Sequence, residues 1–572
     1  VSYASSMELC ISHLIGGIAA ALGDREAIVT PERRLSWRLF DERATGVAAS
    51  LCARGVSYTG LTVIAPDASV AERMRSPQPH FGILSGNCPE YLEAMVGIFR
   101  ARAVPVNMNY RYTPDELAYV VKNAGLCGVV YQRRYGPGLA AALEKTGSLA
   151  VLVDIDDGSG IASVAGSVSF ETLAGERQGH DELPVCSGDD RYLLYTGGTT
   201  GFPKGVLWRQ EDWFRAALGG VQRQTLSCEE AVDHARSARH LVGMPASPMM
   251  HGAGHWSSFS VLLQGGTVVI PAFPDRLDPG AIWAAVEAER VVYLQVVGDA
   301  FLGPLLDEFD RHTYDLTSLR FLLTSGAIAS PSRKQALHAR LPGLRILDTM
   351  GSSESGTTAE SRTVSRAESP GTGSEAERTA QTTQDQAEKP RFRLQSTARV
   401  LSLETLKECE IQEEGLLAQT GSVPLAYLDD PEKTAATFPV RDGMRYSIPG
   451  DHAVRLADGD IFLLGRGSQC INTGGEKVFP EEVEQALKNH PDVADALVAG
   501  VDDAKWGQAV GAVVELRPGR EQGEQELRVF LREYLAGYKV PKFWVISHEQ
   551  VARNQVGKPD YVWARRVLTA PS

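Results

Sequence analysis

A mixed α/β fold is what this 572-residue chain predicts, with a large N-terminal part built of βαβ layers and a smaller α+β part at the C-terminus. Three observations carry that expectation. Around Leu319–Asp348 an apolar run, a helical pattern and a second apolar run follow one another. Around Trp256–Ile270 a helical pattern again leads into a short apolar run. Near the C-terminus, an amphipathic helix is followed by short β-rich runs. Strands separated by helices imply parallel pairing through crossover connections.

In chain order, Trp256–Leu263 reads as a helix, Gly265-Gly266 as its break, and Thr267–Ile270 as the strand that follows. Leu319–Thr324 reads as a buried strand. Pro331 opens a helix running through Ser332–Leu341, Gly343 closes it, and Arg345–Asp348 is the next strand. Pro480 opens a further helix over Glu481–Lys488, with Val483, Ala486 and Leu487 on one face. Ala512–Val514 and Phe543–Ile546 are strands of the smaller terminal unit. Two stretches break the pattern. Pro66–Pro79 reads as an insertion between two strand-like runs. Ser361–Pro390 is rich in Ser, Thr, Glu, Gln and Arg, and too poor in large apolar residues to offset its ordering entropy; it reads as a mobile, disordered insertion.

Composition narrows the function. A net charge of -14 argues against general nucleic-acid binding and against a basic face for anionic lipid. Apolar runs such as Leu149–Val153 and Val268–Phe273 are too short to span a bilayer. The eight cysteines, at 10, 52, 88, 127, 186, 228, 409 and 470, form no CxxC pair, which argues against a zinc ribbon or redox dithiol. Free thiols, and no basic stretch leading into an apolar signal region, fit a cytoplasmic protein.

The most specific stretch is Tyr195-Thr-Gly-Gly-Thr-Thr-Gly-Phe-Pro-Lys204-Gly-Val206, which follows the apolar run Tyr192-Leu193-Leu194. Its glycines let backbone amides come close to a ligand. Those amides, the threonine hydroxyls and one ammonium suit a polyphosphate. Gly205 after Lys204 sets it apart from the ordinary P-loop, where Ser or Thr follows the lysine.

This stretch resembles the phosphate loop of the adenylate-forming superfamily of AMP-binding enzymes, which includes acyl-CoA synthetases, peptide-synthetase adenylation domains and luciferases. Six further segments match that superfamily in order: Ser247-Pro-Met-Met-His251-Gly-Ala-Gly-His-Trp256, Thr324-Ser-Gly-Ala327, Asp348-Thr-Met-Gly-Ser-Ser-Glu354-Ser, Tyr446-Ser-Ile-Pro-Gly-Asp451, Gly465–Pro480 and Arg553-Asn-Gln-Val-Gly-Lys558-Pro-Asp-Tyr561. The resemblance covers about Leu35 to Arg566. It implies an N-terminal domain over 1–465, with parallel sheets and a distorted β-barrel, and a mobile C-terminal lid over 466–572 hinged near Ser468.

The resemblance also implies residue roles. Thr196, Gly197, Gly198, Thr199, Thr200 and Lys204 hold the ATP phosphates, with Thr199 and Lys204 among the catalytic set. Ser325, Gly326 and Ala327 lie beside the adenine, with Asp348, Thr349, Met350, Gly351 and Ser352 completing that motif. Met350 stands where many relatives stack an aromatic ring on the base. Glu354 is the Mg²⁺ ligand, since Mg²⁺ favours one or two carboxylates plus phosphate oxygens. Asp451 accepts from the ribose hydroxyls and Arg466 adds a donor. Lys558 is the catalytic cation on the substrate carboxylate and α-phosphate. Gly474, Gly475, Glu476 and Lys477 line the CoA thiol path, while Lys477, Lys539 and Lys542 are either CoA phosphate contacts or ordinary solvated lysines. His251 is either a catalytic residue near the carboxylate or a packed histidine. A metal site from His251 and His255 is disfavoured, because Gly252 replaces the glutamate of the zinc motif.

Within the superfamily the wording is similar to actinobacterial acyl-CoA synthetases acting on long-chain, steroid side-chain or other bulky polycyclic acids. Small Gly252, Ala253 and Gly254 leave volume, and Trp256, Phe259 and Phe301 wall an apolar cavity. Ser247–Phe259 holds no acidic residue to pair an amino-acid ammonium. The expected function is an ATP-dependent acid–CoA ligase that forms an acyl-adenylate, with ATP, Mg²⁺ and CoA as cofactors and a hydrophobic carboxylic acid as substrate. An acyl-AMP ligase loading a carrier protein, an adenylating enzyme whose thioester step is done elsewhere, and a degenerate nucleotide-binding regulatory subunit are the alternatives. A homodimer is compatible with this reading.

Overall fold

The computed structural model describes residues 9–65, 67–196, 203–218, 226–272, 276–327, 329–363, 391–403, 405–466, 469–473, 476–503, 507–535, 537–553 and 559–570. The chain divides into two compact units. The first comprises residues 1–325, 351–357 and 420–447, and the second 326–350, 358–419 and 448–572. Among the described residues no helix is long and apolar enough to cross a membrane, and all eight cysteines are free thiols.

The first unit holds an eight-stranded sheet in the order Ala426–Tyr427, Lys204–Arg209, Arg191–Thr196, Val104–Asn107, His80–Leu84, Leu126–Gln132, Val151–Ile155 and Val168–Ser169. Its strands are parallel from Arg191–Thr196 through Val168–Ser169. Helices return the chain between them. Pro114–Asn123, for example, starts on a capping box in which Thr113 and Glu116 satisfy each other's backbone amides. A second set of strands in this unit runs Arg34–Ser36, Glu26–Val29, Thr267–Val269, Val242–Pro245, Tyr293–Val296 and Phe321–Thr324. From Tyr293–Val296 the chain passes through helix Gly298–Glu308 and returns in parallel register, Leu294 beside Leu322. Helices Trp37–Ala53 and Pro89–Arg100 are held together by a buried ion pair, Arg43 Nε to Glu93 Oε1 at 2.8 Å. Trp37, Phe40, Phe99, Trp208 and Trp213 fill the adjoining core. Burying side chains of this size contributes about 1.5–3 kcal/mol each.

The second unit begins with helix Pro331–Arg340 and strand Arg345–Ser352, which runs four residues beyond the expected Asp348. Its antiparallel strands follow the order Gly356–Thr363, Arg391–Leu394, Asp460–Arg466, Asp451–Arg455 and Glu414–Thr420, with Ala398–Ser402 on the last. Phe392, Val400, Leu417, Ala453 and Ile461 form the core beneath them. Among the described residues this order stays open, so the expected barrel is not closed. The terminal sheet pairs Glu476–Val478, Ile471–Thr473, Gly507–Leu516 and Val493–Asp503, with Phe543–Ser547 parallel to Gly507–Leu516. Helix Pro480–Lys488 buries Val483, Ala486 and Leu487 as its pattern predicts, and also buries Glu484.

Two sequence expectations change. The segment Leu61–Ala65 forms no strand, and Leu61 and Val63 are 87% and 68% exposed, so that apolar run lies on a surface loop. Within Pro66–Pro79 a short helix, Val70–Arg73, is capped by Ser69 and Glu72. Ser361–Thr363 belong to a strand, so the long polar stretch starts later than its composition implies; residues 364–390 lie outside the described residues. The flanks of that stretch are adjacent antiparallel strands, with Ala359 opposite Leu394 and Glu360 opposite Arg393. A short turn joins strands so paired. Replacing residues 364–390 by a four-residue turn is therefore expected to leave the turnover of the folded enzyme within about twofold; a folded deletion variant with most of its activity lost contradicts this.

Candidate active site

The glycine-rich loop springs from a hairpin. Arg191–Thr196 and Lys204–Arg209 pair antiparallel, with Thr196 opposite Lys204 and Tyr195 opposite Gly205. The loop's ends are thereby fixed. Gly197, Gly198, Thr199 and Thr200 lie outside the described residues.

Lys204 meets Asp430, Nζ to Oδ2 at 2.7 Å, and its ammonium stands 5.7 Å from the centroid of the Tyr427 ring. Both partners come to Lys204 through the sheet. Tyr427 pairs with Val206, and the Leu428 amide donates to the Gly205 carbonyl at 2.8 Å. Burial works against ionisation of the Asp430 carboxyl, but the Lys204 hydrogen bond, the Lys433 amide and the two ammonium charges hold it below the usual range. Tyr427 donates its hydroxyl to Glu354 Oε1 at 2.9 Å. One tyrosine thus stands between the cation and the carboxylate.

Glu354 lies at the tight turn between strands Arg345–Ser352 and Gly356–Thr363. Trp208 Nε1 donates to the Ser353 carbonyl at 3.0 Å, and the Ser447 hydroxyl donates to the Glu354 carbonyl at 2.5 Å. A Cβ on Gly351 would come within 2.1 Å of the Gly356 carbonyl oxygen, so only glycine permits this turn. A single carboxylate of this kind suits Mg²⁺, which takes one or two carboxylates and fills the rest of its shell with phosphate and water oxygens.

The segment expected to wall the acyl pocket forms a loop and a helix. His251 stands at the N-terminal cap of helix Gly252–Leu262. His255, one turn on, is buried and its imidazole is pushed down to about 4, chiefly by burial. The Met249 carbonyl can only accept, so His255 Nδ1–H donates to it, at 2.7 Å. His255 Nε2 then accepts from the Tyr192 hydroxyl, whose oxygen accepts from Trp256 Nε1 at 2.9 Å. His255 is thus a neutral packing residue. Among the described residues no group of three His, Cys, Asp or Glu side chains is placed to hold a metal. The glycines do not leave open volume. A Cβ on Gly254 would lie 2.3 Å from the Pro248 carbonyl, and one on Gly252 would meet Trp256 at 3.2 Å and Leu194 at 3.3 Å. Phe259 is fully buried, its ring edge-on to Trp213 at 5.5 Å. Ser325, in the segment expected beside the adenine, accepts from Gln295 Nε2 at 2.9 Å.

In the second unit, Gly326 follows with φ 78° and Ala327 is half-buried. Asp348 is buried and ion-paired to Lys334. Thr349 and Met350 continue its strand. The Met350 side chain packs on the Phe392 cluster, and its carbonyl accepts from the Thr358 hydroxyl at 3.1 Å. Asp451 opens a strand directly opposite Arg466. The backbone of Arg466, Glu476 and Lys477 is described, but their side chains are not; Ser468, Gly474 and Gly475 lie outside the described residues. Glu476 pairs with Thr473 at the end of a hairpin. Lys539 is held by Glu482 at 2.6 Å.

Lys558 also lies outside the described residues, but both flanks of its loop are anchored. Arg553 bridges to Pro559 and is ion-paired with Asp495, and the Tyr561 hydroxyl donates to Glu484 Oε2 at 3.3 Å. Glu484 Oε1 accepts from the Val498 amide at 2.9 Å. Burial pushes the Glu484 carboxyl up to about 8; Glu481 and Asp495 add to the rise and Lys488 opposes it. The fold therefore binds a proton that the unfolded chain, with a carboxyl near 4.3, has released. This contribution to stability is complete below pH ~4 and is lost as pH rises toward 8. Glu484→Gln is expected to flatten the fall in melting temperature between about pH 5 and 8; an unchanged pH profile contradicts the assignment.

Sequence reading passed over Asp430 and Tyr427, although Asp430 before Pro431 carries a helix-cap signature. It also passed over Lys334 and the buried amides Asn87, Asn107 and Gln295, which look like ordinary strand and loop residues until their partners are known.

Residues 68–422 match the family described as AMP-binding enzyme, and residues 482–558 match the AMP-binding enzyme C-terminal domain. The chain is 38% identical over 554 residues to the medium-chain acyl-CoA ligase Mig of Mycobacterium avium, covering 96% of each. It is 36% identical to the 3-oxocholest-4-en-26-oate–CoA ligase of Rhodococcus rhodochrous, covering 98% of this chain and 96% of that one. The fold is similar to that of ATP-bound MatB from Rhodopseudomonas palustris, at a TM-score of 0.75 and 24% identity, covering 97% and 98% of the two chains. It is also similar to the o-succinylbenzoate CoA synthetase of Bacillus subtilis with its acyl-adenylate, at a TM-score of 0.72 and 20% identity over 98% of each.

Proposed function

The chain belongs to the AMP-binding enzyme family, and from that premise we propose that it is an ATP-dependent acyl-CoA synthetase that activates medium-chain, long-chain or polycyclic hydrophobic acids through an acyl-adenylate. The acid-side segment supports a hydrophobic substrate, since Ser247–Phe259 carries no acidic side chain. The observation that carries the chemistry is the Asp430–Lys204–Tyr427–Glu354 chain.

A carboxylate oxygen of the acid attacks the α-phosphorus of ATP, and the bond to the bridging oxygen breaks, releasing pyrophosphate. Both reactants are anionic, so the site must screen their repulsion. Lys204 supplies one screening charge. Its pair with Asp430 is about one-third exposed on each side, 36% and 31%. Such pairs contribute only about 0–1 kcal/mol, so a triphosphate displaces Asp430 at little cost. By contrast, Arg102 and Asp190, 8% and 0% exposed, form a fixed structural pair. Thr196, Thr199 and Thr200 add hydroxyl donors to the phosphates. Glu354 would hold Mg²⁺, which would supply positive charge to neutralise the phosphates. Asp451 accepts from the ribose hydroxyls, with Arg466 as a further donor. Lys558 bridges the acid and the α-phosphate. In the second step the CoA thiol sulfur attacks the acyl carbon, AMP leaves, and the thiol proton passes to solvent. The C-terminal region from residue 466 turns about Ser468 between the steps and presents Gly474–Lys477 to the thiol.

A carboxylic-acid panel tests this, with fatty acids of graded length and steroid side-chain acids assayed for AMP and acyl-CoA. Hydrophobic acids giving both products are expected. ADP in place of AMP, or thioester formed only on a carrier protein, overturns the proposal.

A further inference from the structure

Asn107 ends strand Val104–Asn107 and is 6% exposed. Its side chain contacts two segments that the proposed chemistry must align. Oδ1 accepts from the Tyr195 amide at 2.8 Å, and Nδ2 donates to the Tyr195 carbonyl at 3.2 Å and to the Met250 carbonyl at 2.5 Å. The amide orientation is unambiguous, because the two carbonyls can only accept and the Tyr195 N–H can only donate. Backbone pairing between the two strands is at Val106 and Leu193. The Asn107 side chain takes up both backbone groups of Tyr195, one residue before Thr196. Its second N–H reaches the acid-side loop, one residue before His251.

A second buried amide holds the far side of that loop. Asn87 accepts from the Met249 amide at 2.7 Å and donates to the Ser247 carbonyl at 3.0 Å. Asn87 fixes the loop to the fold; Asn107 fixes it to the strand that enters the phosphate loop. Tyr195 and Met250 lie fifty-five residues apart in the chain, and beside the Tyr192–His255–Met249 chain this amide is the side chain that bonds to both of their backbones.

We propose that Asn107 is a positioning residue for adenylation, setting the acid-side loop against the phosphate-loop strand so that acid and α-phosphate meet in line. The proposal rests on the acyl-adenylate reading above. Misplacing reactants by about 1 Å costs up to 100-fold in rate. Nucleotide contacts and the later thiol attack do not depend on that alignment in the same way.

The test measures both half-reactions in Asn107→Ala and Asn107→Ser, the second keeping one hydroxyl for these backbone groups. Adenylation is followed by acid-dependent pyrophosphate–ATP exchange without CoA, and transfer by thioester formation from supplied acyl-AMP. Expected is a loss of about tenfold or more in exchange kcat, a nearly unchanged KM for ATP, transfer within about twofold of the unaltered enzyme, and a smaller loss in the serine variant. Equal loss of both half-reactions, unaltered exchange, or failure of both variants to fold overturns the assignment and makes Asn107 a purely structural amide. If the unaltered enzyme shows no CoA-independent exchange, the acyl-adenylate reading falls and this assignment with it.

Discussion

Replacing Lys558 by alanine is expected to slow acyl-adenylate formation by about 100-fold or more while sparing thioester formation from supplied acyl-AMP. As the acid attacks phosphorus, negative charge gathers on the bridging and non-bridging oxygens. A preplaced cation lowers that barrier most, because its interaction strengthens in the transition state. In the thiol step the phosphoryl group keeps its charge and only leaves as AMP, so the same cation has little to stabilise. The described residues on either side of Lys558 are tied to the terminal unit. Arg553 and Asp495 clamp one flank, Tyr561 and Glu484 the other. Half-reaction kinetics check the expectation, and equal loss in both steps contradicts the role.

Glu354→Gln is expected to raise the magnesium concentration needed for half-maximal turnover by about 10–100-fold. The amide keeps the shape of the side chain and an oxygen for the Tyr427 hydroxyl, so the turn held by Trp208 and Ser447 stays intact. What is removed is the negative charge that a hard divalent cation requires. A magnesium titration unchanged from that of the unaltered enzyme contradicts the assignment.

Much of this was legible because local rules and tertiary structure agree. Pro331 and Pro480 start helices where their chemistry says they must. The strands on either side of the glycine–threonine run pair antiparallel, with Thr196 opposite Lys204. The misreadings have physical causes too. Leu61 and Val63 look like strand residues by composition, but β preference expresses packing on a neighbour, and they have none to cover them. Gly252 and Gly254 were read as room for substrate, whereas Pro248, Leu194 and Trp256 occupy that space. Asn87, Asn107 and Asp430 act through partners 162, 143 and 226 residues away. No periodicity or spacing encodes such pairings. The division of the chain into two interleaved units is likewise a property of three-dimensional contacts, which composition along the chain does not express.

The central claim is that Lys204 leaves Asp430 for a triphosphate whose magnesium Glu354 holds. A crystal structure of the enzyme with ATP, Mg²⁺ and no acid tests it most directly. The account predicts Lys204 Nζ within about 3 Å of a β- or γ-phosphate oxygen, displaced from Asp430, with a metal ion on the Glu354 carboxylate. Bound nucleotide with the Lys204–Asp430 pair intact and no metal at Glu354 would contradict it.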